Sequence, residues 1–193
     1  MIKEKAFVLK RIKHGEADLV VHCLNERGTK IGLFAKAALK SKKRFGGGVL
    51  EPTHYIQICY NPPVSLEGLG KLTEAELIYD FKELRTKYER LELGLKFVEI
   101  VDRVSLEGTH DSNNIYKLLG HALKAAETSS QLNLLKLQFE IKFLLYQGVL
   151  PNPSSYTDLI NTPLSQHESL TLSQEEISKS QQFISQLLAD YIG

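Results

Sequence analysis

Through the first eighty residues the apolar positions fall in short runs cut by turn residues, and beyond them the spacing lengthens to three and four. The runs 6–12 (AFVLKRI) and 17–25 (ADLVVHCLN) are rich in β-branched and apolar residues, with Gly15 in the break between them. Polar residues surround Gly28 in 25–30 (NERGTK), which reads as a turn into a third strand at 31–36 (IGLFAK). In 48–60, His54, Ile56, Ile58 and Tyr60 alternate with Tyr55, Gln57 and Cys59, giving one largely apolar face. Asn61-Pro62-Pro63 stops that strand. The segment 69–78 (LGKLTEAELI) is a weaker strand that also reads as the beginning of a helix. Short strands packed so closely in sequence predict a small closed barrel.

A helical period takes over from Phe81 to Leu106, where Leu84, Tyr88, Leu91, Leu95, Val98 and Val101 mark one face. Glu107-Gly108-Thr109 breaks it, and Asp111 or Ser112 can cap a second helix over Asn113–Glu127. A third, Asn133–Gln147, is apolar on most sides and so predicts a central helix packed by several neighbours. Gly148 and Pro151 end it. Residues 152–172 lack periodicity and read as a loop. Ser173 with Glu176 forms a capping-box pattern at the start of a last helix bearing Ile177, Phe183, Ile184, Leu187, Leu188 and Ile192. The expected architecture is α+β, with a β-barrel domain at 1–80 and an all-α domain at 81–193.

Composition adds little to this until charge is resolved along the chain. At 42% hydrophobic and 24% charged, the sequence is that of a globular protein and not a disordered one. The total charge of +1 hides an asymmetry: residues 1–50 carry a net +8, residues 51–193 a net −7. Lys36, Lys40, Lys42, Lys43 and Arg44 crowd into nine positions without an acid, just before Phe45 and three glycines. A solvated face is the plain reading of such a run. The functional one is a polyanion partner, with nucleic acid the natural choice because its phosphates release counterions to such a surface. Arg11, Lys13 and Lys30 are further cations of the same half. Phe45 and Tyr55 are candidates to stack on bases, although core packing is the commoner fate of such residues.

Other chemistries find little support. No H-x-x-x-H or C-x-x-C spacing occurs, so neither a metal nor any other cofactor is expected, and Cys23 and Cys59 read as buried free thiols. Gly46–Gly48 are not followed by the Lys-Ser/Thr and helix of a phosphate-binding loop. Glu16 and Asp18 share a strand face, but pairing with Arg11 or Lys13 explains them better than a metal-dependent nuclease. An enzyme is therefore not expected. No apolar run approaches the roughly 20 residues of a membrane span, and the first residues carry no long apolar stretch of a signal peptide. A cytoplasmic, nucleoid-associated protein without membrane contact is expected.

Several motifs together resemble the bacterial RecO family of recombination mediators. Arg11, Glu16, Asp18 and Val21 resemble its opening hairpin. Gly28-x-Lys30-Ile31, Ala35-Lys36, Lys42-Lys43-Arg44-Phe45-Gly46-Gly47 and Leu50-Glu51-Pro52 follow in order. Further on, 97–102 (FVEIVD) resembles the start of that family's helical domain, and 139–145 (FEIKFLL) with Gly148 and Pro151 its central helix. The likeness covers about residues 5 to 151. It implies an OB-fold followed by helices, binding to single- and double-stranded DNA, annealing of complementary strands, and cooperation with RecR and the single-strand-binding protein in loading RecA. It also implies, in many members, a four-cysteine zinc insert, which a chain with two cysteines does not carry.

Two other functions fit the residues. One is a protein-interaction adaptor whose helical half takes a partner's peptide, with Arg103, Lys117 or Lys124 as the cation beside its groove. The other is a general OB-fold RNA-binding protein, since phosphate contacts do not read the 2′-hydroxyl.

Overall fold

The computed structural model describes residues 1–65, 68–105 and 113–193. They pack as two compact units, Met1–Phe81 with Val98–Tyr116, and Lys82–Phe97 with Lys117–Gly193.

In the first unit β1 (Ile2–His14), β2 (Asp18–Asn25), β3 (Lys30–Ala35), β4 (Tyr55–Asn61) and β5 (Gly70–Tyr79) close into a barrel. The order around it is β1-β2-β3-β5-β4, antiparallel throughout except for β3 beside β5. This is the strand order of an OB-fold. Closure depends on β1 serving two neighbours. Its first half pairs with β4 over Ile2–Phe7, its second with β2 as far as His14, and the register shifts between Val8 and Lys10. Such a bulge bends a long strand so that one chain turns the corner of the barrel. Alternation along each strand then fills the interior with Ala6, Val8, Leu19, Val21, Cys23, Leu33, Ile56, Ile58 and Leu72.

The same core takes in Ala38, Phe45, Val49 and Leu50 from the β3–β4 connection. Burying the last three contributes roughly 2 kcal/mol each. The connection is therefore a plug for the barrel as well as a surface loop. The segment left open between strand and helix is β5: Gly70 and Leu72 are buried at strand spacing, and Ala75 resumes the inward face beyond a register shift against β4.

The parallel seam is short, pairing Leu33 with Gly70 and Phe34 with Lys71. A Cβ on Gly70 would lie 2.9 Å from Leu33 Cδ2, 3.1 Å from the Asn61 carbonyl oxygen and 3.2 Å from Tyr60 Cδ2. Gly70→Ala is expected to cost about 2 kcal/mol through overpacking. The check is the urea midpoint, and an unchanged value would mean that the seam yields without cost.

The helices are α1 (Tyr88–Val104), α2 (Asn113–Ala126), α3 (Leu132–Tyr146), α4 (Thr157–Asn161) and α5 (Gln174–Ile192). The first helix does not begin at Phe81. That residue has a left-handed φ of 48°, and a 3₁₀ turn over Lys82–Thr86 precedes α1. Leu106, the Glu107-Gly108-Thr109 break and the Asp111 or Ser112 cap lie outside the described residues.

In the second unit α3 is buried on all sides and packs against α4 and α5. Phe139 lies 4.2 Å from Phe97 and 6.0 Å from Phe143, ring centre to ring centre. It ends in a Schellman motif: Gly148, at φ 73°, donates to the Leu145 carbonyl and Val149 to that of Leu144. Ser173 and Glu176 form the expected reciprocal cap of α5.

Residues 152–172 are not a loop. They form 3₁₀ turns over Pro153–Tyr156 and Leu164–Ser169 on either side of α4. Each turn is too short to show a period. Buried polar groups of α3 hold them instead: Gln138 donates to the carbonyls of Leu159 (2.9 Å) and Thr162 (2.7 Å), and Lys142 to that of Ile160. Burial lowers the Lys142 ammonium below its usual range. No helix among the described residues is long and apolar enough to cross a membrane.

Candidate nucleic-acid interface

The β3–β4 connection begins with Ala37 at a left-handed φ of 55°. Its first residues are tied to the β1–β2 turn. The Ala37 amide donates to Asp18 Oδ1 (2.6 Å) and the Leu39 amide to the Ala17 carbonyl (2.9 Å). Apolar anchors at Ala38, Phe45, Val49 and Leu50 point inward, so the residues between them face water. Lys36, Lys40, Lys42 and Lys43 are all exposed. None of the four forms an ion pair or side-chain hydrogen bond among the described residues. The result is four cations on an ordered turn whose backbone conformation is already fixed.

Arg44 departs from this group. Its guanidinium donates to the Lys36 carbonyl (2.9 Å) and lies 5.1 Å from the Phe45 ring centre. Its amide donates to Ser41 Oγ (3.2 Å), and its carbonyl accepts from the Ala75 amide on β5 (3.1 Å). Arg44 therefore closes the lysine-bearing turn and ties it to the barrel. Sequence spacing marks it as one more phosphate contact, but its hydrogen bonds are directed into the loop.

Two other candidates are also engaged. Lys30 is held on the last turns of α1, 2.9 Å from Asp102 Oδ1 and 2.6 Å from the Asp102 carbonyl oxygen, with 11% of its side chain exposed. His22 Nδ1 meets the same carboxylate at 2.9 Å. Burial alone would raise the Asp102 carboxyl, but the hydrogen bonds from His22 and Lys30 and the Lys30 charge outweigh it and hold it below the usual carboxylate range. A buried lysine spent on an ion pair is not a phosphate ligand. Arg11 pairs with Glu51 at 2.5 Å and keeps 41% of its side chain in solvent. Lys13 is exposed. Asp18 does not pair with Arg11 or Lys13 but caps the Ala37 amide, and Glu16 is exposed.

Of the two aromatic candidates, Phe45 is internal and Tyr55 is half-buried on β4. Phe45 is 5% exposed within the barrel core. Tyr55 stacks on Phe7 at 4.8 Å, and its hydroxyl accepts from Tyr116 at 2.9 Å. Burial, followed by that hydrogen bond, pushes the Tyr116 hydroxyl up.

An aromatic pair that strand reading passed over lies on the outer face instead. Phe34 has outward parity on β3, between the inward Leu33 and Ala35. His14, at the end of β1, meets it edge-on at 5.7 Å and 83°. The alternation within IGLFAK contains this information, since it sets Phe34 opposite in face to Leu33.

Of the helical candidates, Arg103 pairs with Glu99 one turn earlier on α1 (2.8 Å). Lys124 pairs with the buried carboxylate of Glu127 (2.8 Å), and Lys117 is exposed on α2. Cys23 and Cys59 are free thiols in the barrel, and burial pushes Cys23 up to about 12.

Comparison with known proteins decides the family. Residues 1–81 match the model of the recombination protein O N-terminal domain, the same span that builds the barrel. This span is a RecO-family N-terminal domain. Among its relatives, the protein named DNA repair protein RecO in Alkaliphilus metalliredigens is 30% identical over 158 residues, 80% of this chain and 61% of that protein. The RecO of Macrococcus caseolyticus is 30% identical over 150 residues, 78% of this chain and 57% of its own. That of Thermodesulfovibrio yellowstonii is 39% identical over 84 residues, 44% of this chain and 32% of its own. The chain thus spans about three fifths of the length of the first two RecO proteins.

Proposed function

We propose that this chain is a recombination mediator acting in DNA repair, which binds single- and double-stranded DNA and anneals complementary strands. The observation that carries the reading is the set of four lysines, unpaired among the described residues, on an ordered turn of an OB barrel. Such a surface neutralises phosphates without reading sequence, as annealing requires: two repelling strands must approach while their register stays free. No catalytic residue is needed. In this reading the barrel, residues 1–80, is the nucleic-acid-binding domain, and 81–193 is a helical domain that meets the other proteins of the pathway, RecR, the single-strand-binding protein and RecA. Lys36, Lys40, Lys42 and Lys43 contact phosphates, with Lys13 and the exposed part of Arg11 in support. Arg44 positions the loop, and Lys30 is structural.

A strand-annealing assay tests the reading. Wild type is expected to accelerate pairing of complementary oligonucleotides, and a Lys40/Lys42/Lys43→Ala variant to lose tenfold or more of that acceleration. Equal annealing by both would remove the loop from the mechanism.

A further inference from the structure

The outward faces of β2 and β3 are divided in two. At one end His22 and Lys30 are bound by Asp102 from the last turns of α1, so this part is closed. The other end lies toward the β1–β2 turn. Here the register sets Ile12, Val20 and Phe34 side by side across β1, β2 and β3. Ile12 is 41% exposed, and Val20 and Phe34 are half-buried. His14, on the same face of β1, stands edge-on to Phe34. With strands about 4.8 Å apart, the row is about 10 Å across, the width of a nucleobase. Lys10 has the same parity on β1 and is exposed, and Lys36 follows Phe34 by two residues. The carboxylate on these rows, Asp18, is turned to the Ala37 amide.

We propose that this open row is a stacking platform for one unpaired nucleobase, with Phe34 as its ring and His14 as its wall. The occupant follows from the surroundings: an apolar, aromatic patch flanked by cations matches a planar base attached to a phosphate backbone. A base within a duplex presents its edge and not its face, so the platform selects single strands. The lysine turn is joined to the platform through the Ala37 and Leu39 hydrogen bonds to the β1–β2 turn. Backbone and base contacts therefore fall on one continuous surface. This proposal rests on the nucleic-acid reading of the barrel and adds to it a component of binding that salt does not weaken.

The test uses the full chain and three probes of equal length: a single-stranded oligonucleotide, the same strand with abasic sites throughout, and a duplex. Wild type is expected to bind the abasic strand roughly tenfold more weakly than the intact one, with the same dependence on salt, because the phosphates are unchanged. Phe34→Leu, which keeps an apolar side chain in the row, is expected to lose a similar factor on the intact strand and almost nothing on the duplex or the abasic strand. Unchanged thermal unfolding would show that the variant is folded. If Phe34→Leu does not fold, the intact-against-abasic comparison on wild type decides alone. Equal affinity of wild type for intact and abasic strands would overturn the platform while leaving the lysine surface standing. Failure of wild type to bind any of the three would overturn both.

Discussion

Replacing Lys36, Lys40, Lys42 and Lys43 together by Ala will weaken single-strand binding by two to three orders of magnitude near 0.1 M salt. The size of the effect follows from counterion release. Each phosphate neutralised on a single strand contributes roughly 0.7 to the slope of log K against log salt, so four contacts account for roughly 2.8 of it. At 0.1 M salt that slope corresponds to a loss of several hundredfold. The fold should be untouched, because none of the four side chains makes an ion pair or hydrogen bond among the described residues. A salt titration by fluorescence anisotropy, with thermal unfolding beside it, reads both quantities. A reduced affinity with the wild-type slope would mean that the lysines act other than through phosphates. Arg44→Ala should behave differently. It removes the bond to the Lys36 carbonyl and the contact with Phe45, so it disorders the turn and weakens binding through geometry.

Asp102→Ala is expected to destabilise the chain by about 3 kcal/mol, since removing one partner of a buried ion pair leaves the other charge without compensation. Lys30 would keep its contact with the residue 102 carbonyl but lose the carboxylate at 2.9 Å, and His22 would lose its acceptor. The wild-type interaction also has a pH signature. The Asp102 carboxyl is held below its usual range in the folded chain, whereas in the unfolded chain it titrates at about 3.9, the model-peptide value. The unfolded state therefore takes up the proton first. The stabilisation is fully present above about pH 5 and disappears as the pH falls through the lowered value. Asp102→Asn should accordingly flatten the loss of stability in acid compared with wild type. Urea unfolding from pH 7 downward measures it, and parallel curves for wild type and variant would show that Asp102 carries no linkage.

Much of the barrel was legible because strand alternation and turn chemistry are local. His54, Ile56, Ile58 and Tyr60 all face inward as their spacing requires. The central helix was legible for the same reason, its apolar residues recurring on every side. What could not be read was anything set by contacts distant in sequence. Lys30 looks like its neighbours in the basic half until Asp102, 72 positions later, is placed against it. Arg44 differs from Lys43 only in what its guanidinium reaches once the turn has formed. The short turns between 152 and 172 owe their order to Gln138 and Lys142, polar residues on a helix whose sequence reads as apolar. For the interface, the cluster of lysines was visible, and core packing was the commoner fate expected of Phe45 and Tyr55. Phe45 is conspicuous beside the charges but is swallowed by the core, and Phe34, less conspicuous, faces outward.

Because one stretch of chain both seals the barrel and carries its lysines, its positions evolve under two unequal constraints. The sealing residues tolerate little change, while the charged ones can drift, multiply or vanish without harm to folding. On the proposed reading, single substitutions in the turn retune a grip on nucleic acid, whereas deleting the segment would also unseal the barrel.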